Sequence, residues 1–216
     1  AGHSMRIAFF LEIFYPEING VITATLDLAK NLKRMGHHVL LVVPDNRKTE
    51  PVRDVDGIEV YRVPSVSFAL YPGVRFSWPR DRGLLRKLRD DRIEILHITG
   101  PWTLAWSAIN HGRTLGLPVA HTFHTMLNED TYLLSLVKFK ALVPAGRAFA
   151  WWLMGKFIRG SDVITAPSKF ACDELARRYP DKRIVHISNG IDFGRFETFP
   201  PRKEFLAAHP YFNDKT

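Results

Sequence analysis

The stretch RIAFFLEIFYPEINGVITATLDLAKNLKRMGHHVLLVVP, residues 6–44, decides the fold. Its apolar start over residues 6–11 predicts a β-strand, and apolar residues at helical spacing predict a helix over residues 20–35. We expect Gly36 to end this helix in a left-handed conformation. The continuous apolar run 39–43 predicts a strand that is buried on both faces. Strand, helix and strand in this order are typical of an α/β domain with a parallel sheet.

The same alternation continues along the rest of the chain. It predicts further strands over residues 58–63, 93–98, 118–123, 162–165 and 183–187, and helices over 83–91, 101–115, 128–159 (broken near Pro144), 168–178 and 202–208. Prolines, glycines and aromatics over 65–83 predict a structured loop. About seven strands alternating with helices predict a Rossmann-like, doubly wound, mostly parallel sheet. Such sheets bind ligands at the carboxyl ends of their strands.

Length and composition favour one domain. The chain has 216 residues, 46% of them hydrophobic, and no linker-like tract interrupts its middle. We expect residues 1–4 to be a tag remnant and residues 5–200 to form the domain. Neither a secretory leader nor a membrane-spanning run is visible, and the lone Cys172 fits a reducing compartment, so we expect a cytoplasmic protein. The net charge of +8 favours contact with polyanions without selecting one.

The loop before the first helix is a candidate phosphate site. Gly20 opens the helix, where backbone amides and the helix dipole attract anions. The dinucleotide fingerprint and the P-loop lysine are both missing from this loop. A plain turn explains the same residues equally well.

Two further strand ends carry polar side chains. His124 follows the strand over 118–123 and is placed to act in a cleft as a hydrogen-bond donor or a base, although a structural histidine is the alternative. Thr99 can hydrogen-bond a ligand at the end of the strand over 93–98. We interpret His97 as a core histidine and Asn189-Gly190 as a tight turn.

Metal and acid–base chemistry find little support in the sequence. No metal-ligand spacing accompanies His124, so we predict no metal site. No catalytic triad or paired-carboxylate signature appears in order. Four carboxylates fall near the presumed cleft, and the sequence leaves open which of them act: Glu12, Glu17, Glu129 and Asp130.

Taken in order, these segments resemble the N-terminal domain of glycosyltransferase family 4. The resemblance covers nearly the whole chain and rests on its ordered set of short motifs, not on any one of them. The motifs are Phe14-Tyr15-Pro16 with Asn19-Gly20-Val21, Gly36-His37-His38-Val39, Ile95-Leu96-His97, Gly116-Leu117-Pro118, Phe123-His124-Thr125, Ser161-Asp162-Val163-Ile164 with Pro167-Ser168, and Ser188-Asn189-Gly190-Ile191-Asp192 with Arg195-Phe196. The closest similarity is to bacterial mannosyl- and glucosyltransferases that act on lipids.

The resemblance implies roles for individual residues. His124 would contact the transferred sugar near its reacting carbon and is the catalytic candidate. Asn19 and Gly20 would lie near the phosphates or sugar of the donor. The acceptor-side candidates are Tyr15, Thr99, Glu129 and Tyr132; the segment after Thr125 matches the family only loosely.

The resemblance also implies the N-terminal half of a retaining GT-B enzyme. The donor would be a GDP- or UDP-hexose bound mainly by a C-terminal domain, the acceptor a lipid or glycolipid, and no cofactor would be needed. We expect residues 201–216 to be a linker toward that absent domain, and the chain alone to be inactive. The alternative is a non-catalytic Rossmann-like module that binds anionic lipid or a phosphorylated ligand.

Residues 75–92 combine positive charge with aromatic side chains. They hold seven basic and three acidic residues, a local charge of +4. This composition suits an anionic membrane surface, and it also suits a nucleic-acid groove or a solvated helix face. The resemblance favours the inner face of the cell membrane, and we expect no nucleic acid partner. The membrane-surface candidates are Trp78, Arg80, Arg82, Arg86, Lys87 and Arg89.

Overall fold

The computed structural model describes residues 3–17, 19–46, 51–67, 75–124, 143–190 and 202–208. In this part of the chain the strands are β1 (Arg6–Phe10), β2 (His38–Pro44), β3 (Asp54–Val55), β4 (Ile58–Val63), β5 (Ser65–Ser67), β6 (Arg75–Ser77), β7 (Ile95–Ile98), β8 (Val119–Thr122), β9 (Val163–Ala166) and β10 (Arg183–His186). The helices are α1 (Gly20–Arg34), α2 (Arg82–Asp90), α3 (Thr103–Leu115), α4 (Val143–Gly160), α5 (Lys169–Arg178) and α6 (Arg202–Ala208).

Eight of these strands form one sheet in the order β10-β9-β8-β7-β1-β2-β4-β3. All neighbours are parallel except β3, a two-residue edge strand that pairs antiparallel with β4. This confirms the predicted Rossmann-like sheet. The expected loop over 65–83 was wrong in part, because it contains the antiparallel pair β5–β6. Strands of two or three residues are too short to show an alternating pattern in the sequence.

The strand order reverses at β1. The chain builds outward from β1 through β2 to β4, and then returns to place β7 on the other side of β1. In a doubly wound sheet the crevice at such a switch point is where ligands bind. The structure therefore directs attention to the carboxyl ends of β1 and β7.

The two faces of the sheet bury separate cores. Ala8 and Phe10 of β1 point toward the core that also contains residues of α2, α3, α4 and α5. Phe9 points the other way, toward the core formed with α1. On β2 the run Leu40–Val43 is fully buried, which confirms a strand covered on both faces. Successive side chains of a strand alternate between faces, so both helical layers are fixed by the same short strands.

Helix ends follow local rules. Gly36 and Gly116 adopt φ values of +89° and +67° after α1 and α3, the left-handed conformation that glycine tolerates best. Ser168 caps α5 by accepting the amide of Ala171 at 3.2 Å. Pro144 lies in the first turn of α4, where proline is tolerated, so the predicted helix break falls at the start of this helix. Residues 128–142 of that prediction lie outside the described residues.

Helix α3 is capped by a residue from a distant part of the chain. Its own N-cap, Trp102, makes no side-chain cap. Instead the buried Glu12 carboxylate accepts the amides of Trp102 at 3.1 Å, Leu104 at 3.2 Å and Ala105 at 2.8 Å. Glu12 follows β1, and α3 follows β7. This contact therefore joins the two segments that leave the switch point.

Removing this cap should destabilise the fold. Glu12→Ala leaves buried amides without an acceptor, so we expect the free energy of unfolding in urea to fall by about 2–4 kcal/mol. Glu12→Gln keeps one acceptor oxygen and should lose less. Equal stability of the alanine variant and the wild type would contradict the role of Glu12.

The same carboxyl should make stability depend on pH. Burial raises the pKa of Glu12 from 4.5 to about 7, although the three amide hydrogen bonds act in the opposite direction. A raised pKa means that the folded state favours the protonated Glu12 carboxyl. The stability that this preference contributes is fully present below pH 4.5 and is lost as the pH rises through about 7. The wild type should therefore lose stability relative to Glu12→Gln over this range. A difference that does not change with pH would contradict the raised pKa.

Candidate sugar-binding cleft

A cavity of about 460 Å³ lies between α1 and the carboxyl ends of β7, β8 and β9. The segment 187–190 after β10 completes its wall. From α1 the cavity receives residues of the exposed side of the helix, including Leu28 and Asn31. The strand ends supply neutral polar side chains: His97, Thr99, Thr122, His124 and Thr165. The charged lining residues, Asp27, Lys30 and Arg34, come from α1. This is the place that the switch-point rule assigns to a ligand.

The strand register explains why this wall is polar. Phe9 pairs with His97 across β1 and β7, and Thr122 pairs with Thr165 across β8 and β9. Residues paired in a parallel ladder project from the same face of the sheet. On this face α1 packs over β1, β2 and β4, whereas the ends of β7, β8 and β9 line the cavity.

His97 is packed as a core histidine would be, but it also belongs to this wall, which the sequence interpretation did not anticipate. It is half-buried, and its Nε2 lies 2.7 Å from the hydroxyl of Thr122. The Thr122 hydroxyl lies 2.7 Å from that of Thr165, and the ring of Phe9 stacks on the imidazole at 4.7 Å. The alternation of side chains along β7 correctly places His97 on the face opposite Leu96 and Ile98. It does not tell whether a helix covers that face.

The two cleft histidines are neutral at pH 7. Burial, and then the nearby His124, lower the pKa of His97 from 6.5 to about 4. Burial also lowers the pKa of His124. A neutral imidazole carries one N–H donor and one acceptor nitrogen, which matches the donor and acceptor character of a sugar hydroxyl. His121 is buried on the opposite face beside Phe123 and does not line the cavity.

Of the other residues predicted to bind a ligand, some line the cavity and others do not. Thr99 lines the cavity, but it is 3% exposed and its hydroxyl donates to the carbonyl of Phe10 at 3.0 Å. Asn19 caps α1 by accepting the amide of Ile22 at 3.0 Å, and Gly20 is the first residue of that helix. Neither Asn19 nor Gly20 lines the cavity.

The remaining acceptor-side residues lie elsewhere or outside the described part. Tyr15 is half-buried and packs edge-on against Phe14, with ring centroids 4.8 Å apart. Glu129 and Tyr132 lie outside the described residues, so their roles stay predictions.

Sequence reasoning missed several cleft residues. Thr122 and Thr165 were not singled out, although each stands near the carboxyl end of a predicted strand, and that position is the signal that points to them. Asn189 and Gly190 were interpreted only as a turn, yet both line the cavity. Within the described residues, no group of three or more histidine, cysteine or acidic side chains could hold a metal ion.

The basic segment is divided between solvent and internal ion pairs. Arg80, Arg82, Arg86 and Arg89 are exposed, and Trp78 is 71% exposed. Lys87 is instead held by Glu59 at 2.8 Å and Asp91 at 3.0 Å. Its charge is therefore largely compensated within the fold. No described helix is long and apolar enough to span a membrane.

A family model described as Glycosyltransferase Family 4 matches residues 18–195, which include most of the sheet and every residue found to line the cleft except Phe9. The chain belongs to glycosyltransferase family 4. The predicted resemblance is thereby confirmed.

Curated relatives of this family member span about twice its length. It is 32% identical over 197 residues to a GDP-mannose-dependent alpha-mannosyltransferase of Mycolicibacterium smegmatis, covering 89% of this chain and 49% of the relative. It is 26% identical over 204 residues to an alpha-monoglucosyldiacylglycerol synthase of Streptococcus pneumoniae, covering 94% and 44%. The chain thus spans about half the length of the relatives it matches.

Solved structures show the same fold. A glycosyltransferase from Rickettsia africae superposes with a TM-score of 0.63 at 18% identity, over 97% of this chain and 50% of that one. A sucrose-phosphate synthase from Thermosynechococcus elongatus gives a TM-score of 0.63 at 14% identity, over 94% and 52%. These matches support the GT-B fold and say nothing about the substrate.

The neutral state of His97 is testable by NMR. We expect its imidazole resonances to titrate with a midpoint near pH 4, compared with 6.5 for the unperturbed group. Because the pKa is lowered, the folded state favours the neutral imidazole of His97. The stability that this preference contributes is lost as the pH falls below 6.5 toward 4. The same residue in urea-unfolded protein provides the control. A folded-state midpoint at or above the unfolded one would contradict the buried environment described here.

Proposed function

We propose that this chain is the N-terminal, acceptor-side domain of a retaining glycosyltransferase that transfers mannose or glucose from a GDP- or UDP-sugar to a lipid or glycolipid. Family membership supports the reaction class. The names of the relatives, which include a GDP-mannose-dependent enzyme and a diacylglycerol-modifying enzyme, support the donor and acceptor classes. The observation that carries the proposal is the pair of neutral histidines above a threonine ladder at the switch point.

The cleft fits recognition of a neutral sugar. Retaining transfer needs the hexose held with its reacting carbon open to the acceptor, while charge develops on the departing diphosphate. In this proposal His124 hydrogen-bonds the transferred hexose near its reacting carbon. His97 is oriented by Thr122 and Thr165, so it offers a fixed hydrogen-bonding edge beside it. Preorganisation of this kind spares the site the cost of ordering these groups on binding.

The diphosphate would be bound from both sides of the cleft. On this side the start of α1 provides amides and the positive end of a helix dipole near Asn19 and Gly20. The main diphosphate contacts would come from the C-terminal domain. The donor is a substrate in this scheme, and no cofactor takes part.

Substitution of His124 tests the catalytic assignment. In the full-length enzyme, His124→Ala should lower kcat by about 10²–10³-fold, the size of effect seen when one positioned transition-state donor is lost. His37→Ala provides the matched control, because His37 precedes β2 at the amino ends of the strands, whereas His124 follows β8 at the carboxyl ends. Near-normal kcat for His124→Ala, with an unchanged melting temperature, would remove His124 from the mechanism.

A lipid acceptor requires the enzyme to work at a membrane surface. We propose that the exposed arginines of α2 and the neighbouring Trp78 hold the domain peripherally on the inner face of the cell membrane. Arginines near an anionic surface each contribute about 1 kcal/mol to binding, and tryptophan favours the interface. Lys87 is excluded from this surface because Glu59 and Asp91 engage it.

Charge reversal tests this surface. Replacing Arg82, Arg86 and Arg89 with glutamate should abolish sedimentation with vesicles that contain phosphatidylglycerol, and high salt should weaken the wild type in the same assay. Replacing Lys169, Arg177 and Arg183 with glutamate changes the charge equally away from α2 and should have a smaller effect. Unchanged sedimentation of the α2 variant would mean that α2 is a solvated helix face that does not bind the membrane.

A further inference from the structure

A second cavity of about 440 Å³ lies between the start of α2 and the last turns of α3. It is on the sheet face opposite α1, away from the sugar cleft. Three arginines line it: Arg80, Arg82 and Arg113. Asp81, Asn110 and Thr114 add further polar groups. We call this cavity the α2–α3 groove.

The arginines of the groove are available to a ligand. All three are exposed, and within the described ranges none forms an ion pair with a carboxylate. Among the described residues that line the groove, Asp81 is the one carboxylate, and it accepts the amide of Leu84 and, at 3.2 Å, the hydroxyl of Tyr61. Burial, followed by the charge of Asp81, raises the pKa of Tyr61 to about 12, so the phenol stays a donor. Three positive charges therefore face one negative charge that is already hydrogen-bonded.

The walls of the groove are fixed to each other. His111 of α3 is buried, and its Nε2 lies 3.0 Å from the carbonyl oxygen of Asp81 at the start of α2. Gly83 permits close packing behind this wall, since a Cβ there would lie 2.6 Å from the Tyr61 hydroxyl. Guanidinium groups held on a rigid frame can form the paired hydrogen bonds that suit a phosphate.

An aromatic hollow adjoins the groove. Trp78, Pro79 and Trp106 line this hollow, and it shares Arg80 and Asn110 with the groove. Trp78 is 71% exposed. Exposed tryptophan beside arginine is the combination that settles at the headgroup level of a bilayer.

We propose that the α2–α3 groove is a binding site for the phosphate of an anionic phospholipid headgroup, with Trp78 placed in the interfacial layer beside it. The site adds Arg113, from α3, to the arginines of α2. It differs from a diffuse basic surface because it requires the planar donors of particular arginines. The proposal deepens the membrane association proposed above and does not depend on sugar transfer.

Lysine substitutions test the groove without changing charge. We compare Arg82→Lys/Arg113→Lys with the matched control Arg177→Lys/Arg183→Lys, which changes two exposed arginines away from α2 and α3. The assay is binding to phosphatidylcholine vesicles with and without phosphatidylglycerol. Loss of paired phosphate contacts should weaken binding of the groove variant about tenfold, whereas the control should stay within about twofold of the wild type.

Two results would overturn the proposal. Equal affinities for the two variants would show that binding is diffuse electrostatic attraction. A titration with inorganic phosphate separates the remaining sources: arginine side-chain NMR shifts at Arg82 and Arg113, combined with unchanged vesicle binding of the groove variant, would make the groove a site for free phosphate. If the charge-reversed variant described above loses vesicle binding while these lysine variants match each other, membrane association survives and the headgroup site fails.

Discussion

The buried carboxylate of Glu12 sits where the two halves of the sheet meet. The chain leaves β1 at this residue, and ninety positions later the same carboxylate receives three amides at the start of α3. An acceptor brought from β1 supplies what the helix lacks at its own N-cap. Because β1 and β7 flank the switch point, this junction fixes the two segments that leave those strands at the crevice. Gly100 accommodates it, since a Cβ there would lie 3.0 Å from the Glu12 side chain.

The cleft forms because α1 covers only part of one face of the sheet: it packs over β1, β2 and β4 and leaves the ends of β7, β8 and β9 open. Phe9, in the middle of that face, is 1% exposed, and its ring supports His97 from beside α1. Beyond it, His97, Thr122 and Thr165 meet the cavity and satisfy one another through hydrogen bonds. Burial keeps the cleft histidines uncharged, so the strand-end wall presents neutral hydrogen-bonding edges. The charged residues that line the cleft, Asp27, Lys30 and Arg34, come from α1 on the other side.

The strands and helices were largely predictable because their signals are local. The run over 39–43 is apolar at every position, and Gly36 and Gly116 end their helices with positive φ values. The short strands β3, β5 and β6 were not predictable, because two or three residues carry no period. The site was predictable only in part. The position of His124 at the cavity follows from its place after a strand, although a structural histidine was the alternative. Whether His97 reaches the cavity depends on which strands α1 covers, and that is a long-range property. Glu12 could be placed near the cleft, but its amide partners lie ninety residues away in sequence.

Membership of glycosyltransferase family 4 and the GT-B fold indicate the class of reaction. They do not identify the substrates, because the chain spans about half of each curated relative described above. The central claim is that the hexose lies in the cleft at the switch point. A crystal structure of the full-length enzyme with an unreactive GDP- or UDP-sugar tests it most directly. The account predicts the hexose against His124, with His97 and the threonine ladder lining the same pocket. A hexose bound away from the carboxyl ends of β7 and β8 would contradict it.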